Sequence, residues 1–412
     1  MEASPKKPLR KRLLIVCVLV ISLLILEGCG KREVEELAFM MGVGIDKGKQ
    51  EGSYLVTIQV AKPKPSGGGG STELEDWTLS VEGPIIASTI EKVNEMFDKQ
   101  FFAGTVRVIV IGEDLARTGI NEVLDFYQRY YQYRRTMYLV VAKGSAKDLL
   151  ETKTTTHNIP ALGLLGIIEG NKRQSTFPVT RLGHYLTILG RESQNPVIPS
   201  AEVIRSGDKG IYLSDEKGNE VIMSCAGVFE DGRLVDFLGD QETKGYLWLD
   251  DEIKTRRLEG ERDRLKIVAS VHNSKTKYKV EMIDEQLGIK FYIKASMALD
   301  EILGQQGEMS TEEWRNFLQE VEPILAQAIQ EECEAAVAKS KKLQLDFIGI
   351  GRKIEIKNPK YWTEIKDNWP QGLEDFPVAF EIEVDVDHAG LARNSPVSPQ
   401  KSESKGEGNI HQ

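Results

Sequence analysis

The 412-residue sequence is poor in the residues that most often carry chemistry. Four cysteines exclude a disulfide scaffold, and no two of them lie at metal-ligand spacing. The five histidines, His157, His184, His272, His388 and His411, never fall within four residues of one another, which leaves no local metal pair. There is no phosphate-cradling glycine loop with Lys and Ser/Thr, no serine elbow and no His-Glu-x-x-His. Positive charge is scarce too: 53 basic residues face 63 acidic ones. A formal charge of −10 excludes a general nucleic-acid binder, which needs a basic face to displace phosphate counterions. What is present, 41% hydrophobic and 28% charged residues, suits folded domains rather than disorder or many membrane spans.

The apolar residues concentrate first at the start. Lys6, Lys7, Arg10, Lys11 and Arg12 precede an apolar run from Leu13 to Leu26, broken only by Ser22. As a helix its 14 residues span ~21 Å, short of a bilayer core of ~30 Å. That length suits the h-region of an export signal. Leu26-Glu27-Gly28-Cys29 resembles the lipobox of bacterial lipoproteins, with Glu27 where a small or apolar residue is usual. The expectation is cleavage between Gly28 and Cys29, with a diacylglyceryl lipid on the Cys29 thiol and no other cofactor. Two acyl chains anchor stably where one binds only marginally. An uncleaved anchor helix and an ordinary secretory signal are the alternatives. Cleavage removes five basic and two acidic residues and takes the charge from −10 to −13. On that balance a positively charged partner surface fits better than an anionic lipid face. Cys225 and Cys333 remain, as buried free thiols or as a bridge.

Beyond residue 36, strands and helices alternate. Strand patterns cover 37–45, 54–61, 77–81, 106–111 and 137–142, and helical spacing covers 86–97, 120–131, 145–151, 160–168 and 182–189. Short strands and turns follow Pro196–Ser200. Strand runs at 264–271, 275–282 and 289–295 lead to a long helix capped by Ser310 and Glu313, with Pro323 predicting a kink or break. Strands at 345–356 and 378–386 close the folded part, with a short helix after Pro359. The fold class expected is α+β, three consecutive α+β domains of mixed sheets with packed helices behind the lipoprotein signal peptide of 1–28. Their bounds are 29–200, a small β-rich middle domain at 201–262, and 263–389, with a disordered tail at 390–412.

Three features invite functional readings. Gly42-Val43-Gly44 with Gly48 has the wrong spacing for a dinucleotide loop and reads as a tight turn at a strand end. Glu381, Glu383, Asp385 and Asp387 share one strand face, which reads as a solvated outer face. Tyr127, Tyr130, Tyr131 and Tyr133 interleave with Arg129, Arg134 and Arg135, which reads as helix packing with a polar rim.

The segments without chemistry carry a family likeness. Ala38-Phe39 through Gly44-Ile45-Asp46-Lys47, Val108 to Glu113, Leu124-Asp125-Phe126, Val141 to Gly144 and Pro196 to Pro199 come in one order. Gly227-Val228-Phe229, Glu242 to Leu249, Ser274 to Lys277, Asp346, Gly349-Ile350-Gly351, Lys353, Pro359, Trp362, Lys366 and Trp369 continue it. With the lipobox ahead of them, these resemble the C subunit of bacterial spore germinant receptors, the Ger(x)C lipoprotein family. The resemblance implies three α+β domains and a non-enzymatic subunit on the outer face of the spore inner membrane. Its partners would be the A and B membrane subunits and the lipid bilayer, through the Cys29 anchor, and it would take part in the response to nutrient germinants. Glu242, Thr243, Lys244, Gly245 and Trp248 are the candidate partner interface on the same ground, with a buried packing segment as the alternative. A solute-binding lipoprotein of an uptake system is the competing function; it calls for two doubly wound lobes around a cleft. An exported enzyme is the third, with no catalytic constellation visible.

Overall fold

A computed structural model describes residues 15–16, 37–64, 73–96, 99–155, 157–214, 218–304 and 309–388. Gly28, Cys29, nearly all of the expected signal segment, and the expected tail at 390–412 lie outside the described residues. Among the described residues no helix is long and apolar enough to cross a membrane.

Nine strands form the first sheet: β1 (Leu37–Lys47), β2 (Tyr54–Lys64), β3 (Glu73–Gly83), β4 (Gln100–Phe102), β5 (Val108–Ile111), β6 (Tyr138–Ala142), β7 (Val197–Arg205), β8 (Asn219–Glu230) and β9 (Arg233–Leu238). Their order is β3-β2-β1-β5-β6-β7-β8-β9, with β4 beside the start of β1. The centre, β1-β5-β6-β7, is parallel and the flanks are antiparallel. Helices α1 (Ile86–Asn94), α2 (Glu113–Thr118), α3 (Asn121–Arg129), α4 (Ala146–Glu151), α5 (Pro160–Asn171) and α6 (Leu182–Leu189) cover it.

The parallel centre explains the sequence of β5. Ile109 and Ile111 pack with Leu124, Tyr127 and Tyr185 on one face, while Val108 and Val110 pack with Leu149, Leu150 and Leu164 on the other. A strand covered on both faces has no polar side, hence the unbroken Val-Ile-Val-Ile. Gly42 and Gly44 lie inside β1 rather than at a turn. A Cβ on Gly42 would sit 2.6 Å from the Ala161 Cβ, and one on Gly44 2.9 Å from Leu150 Cδ1. These glycines let α4 and α5 lie directly on the strand.

The region expected as a separate middle domain divides differently. Ser200 pairs with Val141, so β7 extends the first sheet and β8 and β9 follow it. Residues 240–249, expected as β-rich, form helix α7 (Asp240–Leu249).

The second sheet has the order β10 (Arg256–Arg262), β11 (Leu265–Ile283), β12 (Gln286–Leu303), β13 (Val378–His388). β11 and β12 form one long hairpin, and the two short strands expected at 264–282 are a single strand with register shifts after Val268 and Val271. Helix α8 (Thr311–Leu343) buries Trp314, Phe317, Val321, Leu325 and Ile329 against it. It starts at the expected capping box of Ser310 and Glu313 and continues through Pro323 without interruption. The strand expected at 345–356 is instead a turn and helix α9 (Ile350–Lys357), followed by α10 (Pro359–Ile365). On β13, Glu381, Glu383 and Asp385 are exposed, and Glu381 and Glu383 pair with Lys290 and Lys294 of the neighbouring strand. The two sheets with helices packed on them make the chain α+β; two doubly wound lobes, as solute binding would require, are not formed by the described residues.

Candidate functional site at the junction of the sheets

The candidate interface segment lies on α7, and the fold turns most of it inward. Thr243 and Trp248 are fully buried and Gly245 is buried, while Glu242 and Lys244 are half-buried. Glu242 bonds back to the Gly239 N–H at the helix start, and Lys244 pairs with Asp240 at 2.6 Å. The Thr243 hydroxyl has no hydrogen-bond partner among the described residues. A partner meeting this segment therefore reaches Glu242 and Lys244 and not the other three.

Burial of α7 has a definite cause. A Cβ on Gly245 would stand 1.9 Å from the Glu332 carbonyl oxygen, so α7 and α8 touch backbone to backbone. Beside that contact Trp248 donates its indole N–H to Glu332 Oε2 at 2.8 Å. Arg256 of β10 donates to both Glu332 oxygens, at 2.9 and 2.8 Å. Both members of this ion pair are buried, and removing either would leave an uncompensated charge at a cost of about 3–5 kcal/mol.

Other segments singled out by resemblance converge on the same place. Thr276 donates its hydroxyl to the Trp248 carbonyl at 2.7 Å and its N–H to Asp251 at 2.8 Å. Ser274 bonds the Ile253 carbonyl, and Lys275 pairs with Asp251. Lys353 bonds the Ile348 carbonyl at 2.7 Å and lies 3.5 Å from Asp250. Asp346 is buried and accepts from Ile350 N–H at 2.8 Å, Gly351 N–H at 2.6 Å and Trp369 Nε1 at 3.1 Å. Burial raises the Asp346 pKa above the usual carboxylate range; those donors and nearby Lys353 oppose the shift in part. Gly349, at φ +72°, makes the left-handed turn that opens α9. A Cβ on Gly351 would lie 2.6 Å from Trp369 Nε1.

Several contacts join this assembly to the first sheet and the helices on it. Asn195 and Asp346 exchange two hydrogen bonds of 2.9 Å, Ser193 bonds Glu355 at 2.9 Å, and Lys339 pairs with Asp236 at 2.7 Å. The Arg352 and Ser193 bonds hold the Glu355 carboxyl below its ordinary pKa. Burial alone would raise Asp236, but Lys339 and the Phe237 N–H bring it below normal. A nearby cavity of about 380 Å³ lies between the loop after α5 and the end of α7, lined in part by Phe177, Leu247, Glu252 and Lys254. Burial, with Asp250 adding, pushes the Glu252 carboxyl up to about 8.

The arrangement is structural in its chemistry. The buried charges at the junction are paired or hydrogen-bonded, and among the described residues no three His, Cys, Asp or Glu side chains group as a metal site. Cys225 and Cys333 are both buried and free. Local spacing could not have revealed the junction, because its members come from residues 193, 248, 256, 276, 332 and 346.

Comparison with known proteins agrees with this architecture. The family models described as "Spore germination protein N-terminal domain" and "Spore germination B3/ GerAC like, C-terminal" match residues 30–203 and 224–390. The chain belongs to the Ger(x)C family of spore germination proteins. Among Ger(x)C relatives, spore germination protein KC of Bacillus subtilis (strain 168) is 25% identical over 405 residues, 95% of this chain and 98% of that protein. Spore germination protein B3 of the same organism is 23% identical over 390 residues, 90% and 97% of the two chains. The crystal structure of the GerBC protein superposes with a TM-score of 0.54 at 18% identity, covering 84% of this chain and 96% of that one. This likeness shows a shared Ger(x)C fold. The first matched part ends inside β7 and the second begins inside β8, so strands from both complete the first sheet.

Proposed function

We propose that this chain is the C subunit of a nutrient germinant receptor, a non-enzymatic lipoprotein needed for receptor assembly and for the response that starts spore germination. The observation that carries the reading is the pair of spore-germination family matches, which together run from residue 30 to residue 390. Spore germination proteins KC and B3 are matched over nearly their full length, which supports a common role.

The subunit is anchored by a diacylglyceryl lipid on Cys29, on the outer face of the cell or spore inner membrane. The lipobox-like Leu26-Glu27-Gly28-Cys29 supports this, as does a family match that starts at residue 30. Its protein partners are the receptor's A and B membrane subunits. The paired, buried charges of the junction support a scaffold that holds two sheets in fixed relation.

The test replaces Cys29→Ala and follows membrane retention and nutrient-triggered germination. Loss of both is expected, with the unaltered protein co-purifying with two membrane-spanning subunits. Unchanged retention and germination would remove the anchor, and co-purification with a solute transporter instead would replace the receptor reading.

A further inference from the structure

The edge of the first sheet that receives the chain from residue 29 carries a distinctive surface. β1 and β4 run parallel with Leu37 opposite Gln100, so both start at this edge. β5 and β6 are parallel to β1, which brings the loop leading into Tyr138 to the same edge. The Ala103 N–H donates to Gln132 Oε1 at 3.4 Å and ties that loop to the strand ends. Helix α3 also ends here: it starts near Tyr54, whose hydroxyl bonds Glu122, and finishes at Arg129.

Tyr127 and Tyr133 are buried and meet edge to face at 4.6 Å, forming the base of the loop. On that base Tyr130 and Tyr131 stack on each other at 5.3 Å and face solvent, Tyr131 with 82% of its surface exposed. Met96, just past the end of α1, is 63% exposed. Lys99, Arg134 and Arg135 are exposed and make no ion pair among the described residues, while Arg129 is paired with Asp125 at 2.6 Å. Apolar bodies with polar tips beside unpaired cations suit a lipid headgroup layer, where tyrosines sit at the interface and arginines bind phosphate oxygens.

Chain length decides which end of the sheet is held there. From Cys29 to Leu37 the chain spans roughly 29 Å at full extension. The opposite end of β1 stands about 33 Å farther along the strand. We propose that this edge is a membrane-contact face, with Tyr130, Tyr131 and Met96 entering the headgroup layer and Lys99, Arg134 and Arg135 binding lipid phosphates. It rests on the lipid anchor at Cys29. The charge of −13 expected for the cleaved chain pointed away from an anionic lipid face. That sum averages over surfaces far beyond the screening length of about 8 Å, so the local cations decide.

The full-length lipidated protein is placed in vesicles of phosphatidylethanolamine and phosphatidylglycerol. Cys225 and Cys333 are buried, so Tyr131→Cys or Glu51→Cys provides one accessible thiol for a fluorophore. Flotation with the vesicles reads the anchor, and quenching by spin-labelled lipid reads the face. Quenching at least about threefold stronger at position 131 than at position 51 is expected, because spin-label quenching needs close approach and Glu51 sits in the turn between β1 and β2, roughly a strand length away from this edge. The pair Arg134→Glu with Arg135→Glu is expected to reduce the signal at 131 without unfolding the chain. Equal quenching at both positions on protein that still floats overturns the face and leaves the anchor standing. Failure to float with Cys29 intact overturns both. A label at 131 that is free on lipid alone and protected only by added membrane-spanning subunits assigns the face to a protein and overturns the lipid contact.

Discussion

Asn195 and Asp346, 151 positions apart, exchange hydrogen bonds in both directions: Asn195 N–H to the Asp346 carbonyl and Asp346 N–H to Asn195 Oδ1, each 2.9 Å. The first residue leads into β7 of the first sheet, and the second opens the turn before α9. The same Asp346 uses its carboxylate to hold Ile350, Gly351 and Trp369. One residue thereby fixes the turn internally and fastens it to the other sheet.

Asn195→Ala keeps the backbone half of this exchange and removes the acceptor for the Asp346 N–H. A buried donor left without its partner costs about 1–3 kcal/mol. Urea unfolding measures the loss, and amide exchange at Asp346 is expected to accelerate. Unchanged stability and unchanged exchange would show that the exchange does not hold the sheets together.

Gly245→Ala is expected to be among the most damaging single-methyl additions in the chain. The new Cβ meets the Glu332 carbonyl oxygen at 1.9 Å and the Ala336 Cβ at 2.9 Å, so helix α7 or α8 must move. The cost is ~3 kcal/mol or more. Gly170→Ala, inside α5 with nothing within 4 Å, is the control and is expected to stabilise by ~0.5–1 kcal/mol. Thermal unfolding of both variants checks the contrast, which equal effects would contradict.

Glu252 should make stability depend on pH. An unperturbed glutamate titrates near 4.5, and this one titrates at about 8 when folded. Between those values the folded chain keeps a proton that the unfolded chain has released. The group's contribution is therefore complete below 4.5 and is lost as pH rises through about 8. Melting temperatures of the unaltered protein and of Glu252→Gln, compared from about pH 5 to about 8.5, should differ in slope, the variant losing less. Parallel curves would mean that Glu252 is an ordinary solvated carboxylate.

Much of the local architecture was legible in the residues. The capping box of Ser310 and Glu313, the both-sides-buried β5 and the apolar face of α8 follow from side-chain spacing, which local geometry imposes whatever the rest of the chain does. The lipobox-like segment and the ordered family segments likewise need no coordinates to be recognised. Other features depended on neighbours far away in sequence. Gly42 and Gly44 read from the sequence as a turn, whereas α4 and α5 lie on β1 and need both positions free of a Cβ. Residues 201–262 read from the sequence as a separate module, whereas the pairing of Ser200 with Val141 puts β7, β8 and β9 in the first sheet. Trp248 stands in the sequence as either a partner contact or a buried packing residue, and Glu332, 84 positions later, decides for burial. Periodicity records which residues avoid water and not which partner excludes it. The sequence alone settled the family likeness and most of the helices and strands, though not the helices at 240–249 and 350–357; the tertiary structure decided which sheet each strand joined, which candidates were buried, and that Tyr131 and Arg134 share an edge with the entry of the chain at Leu37.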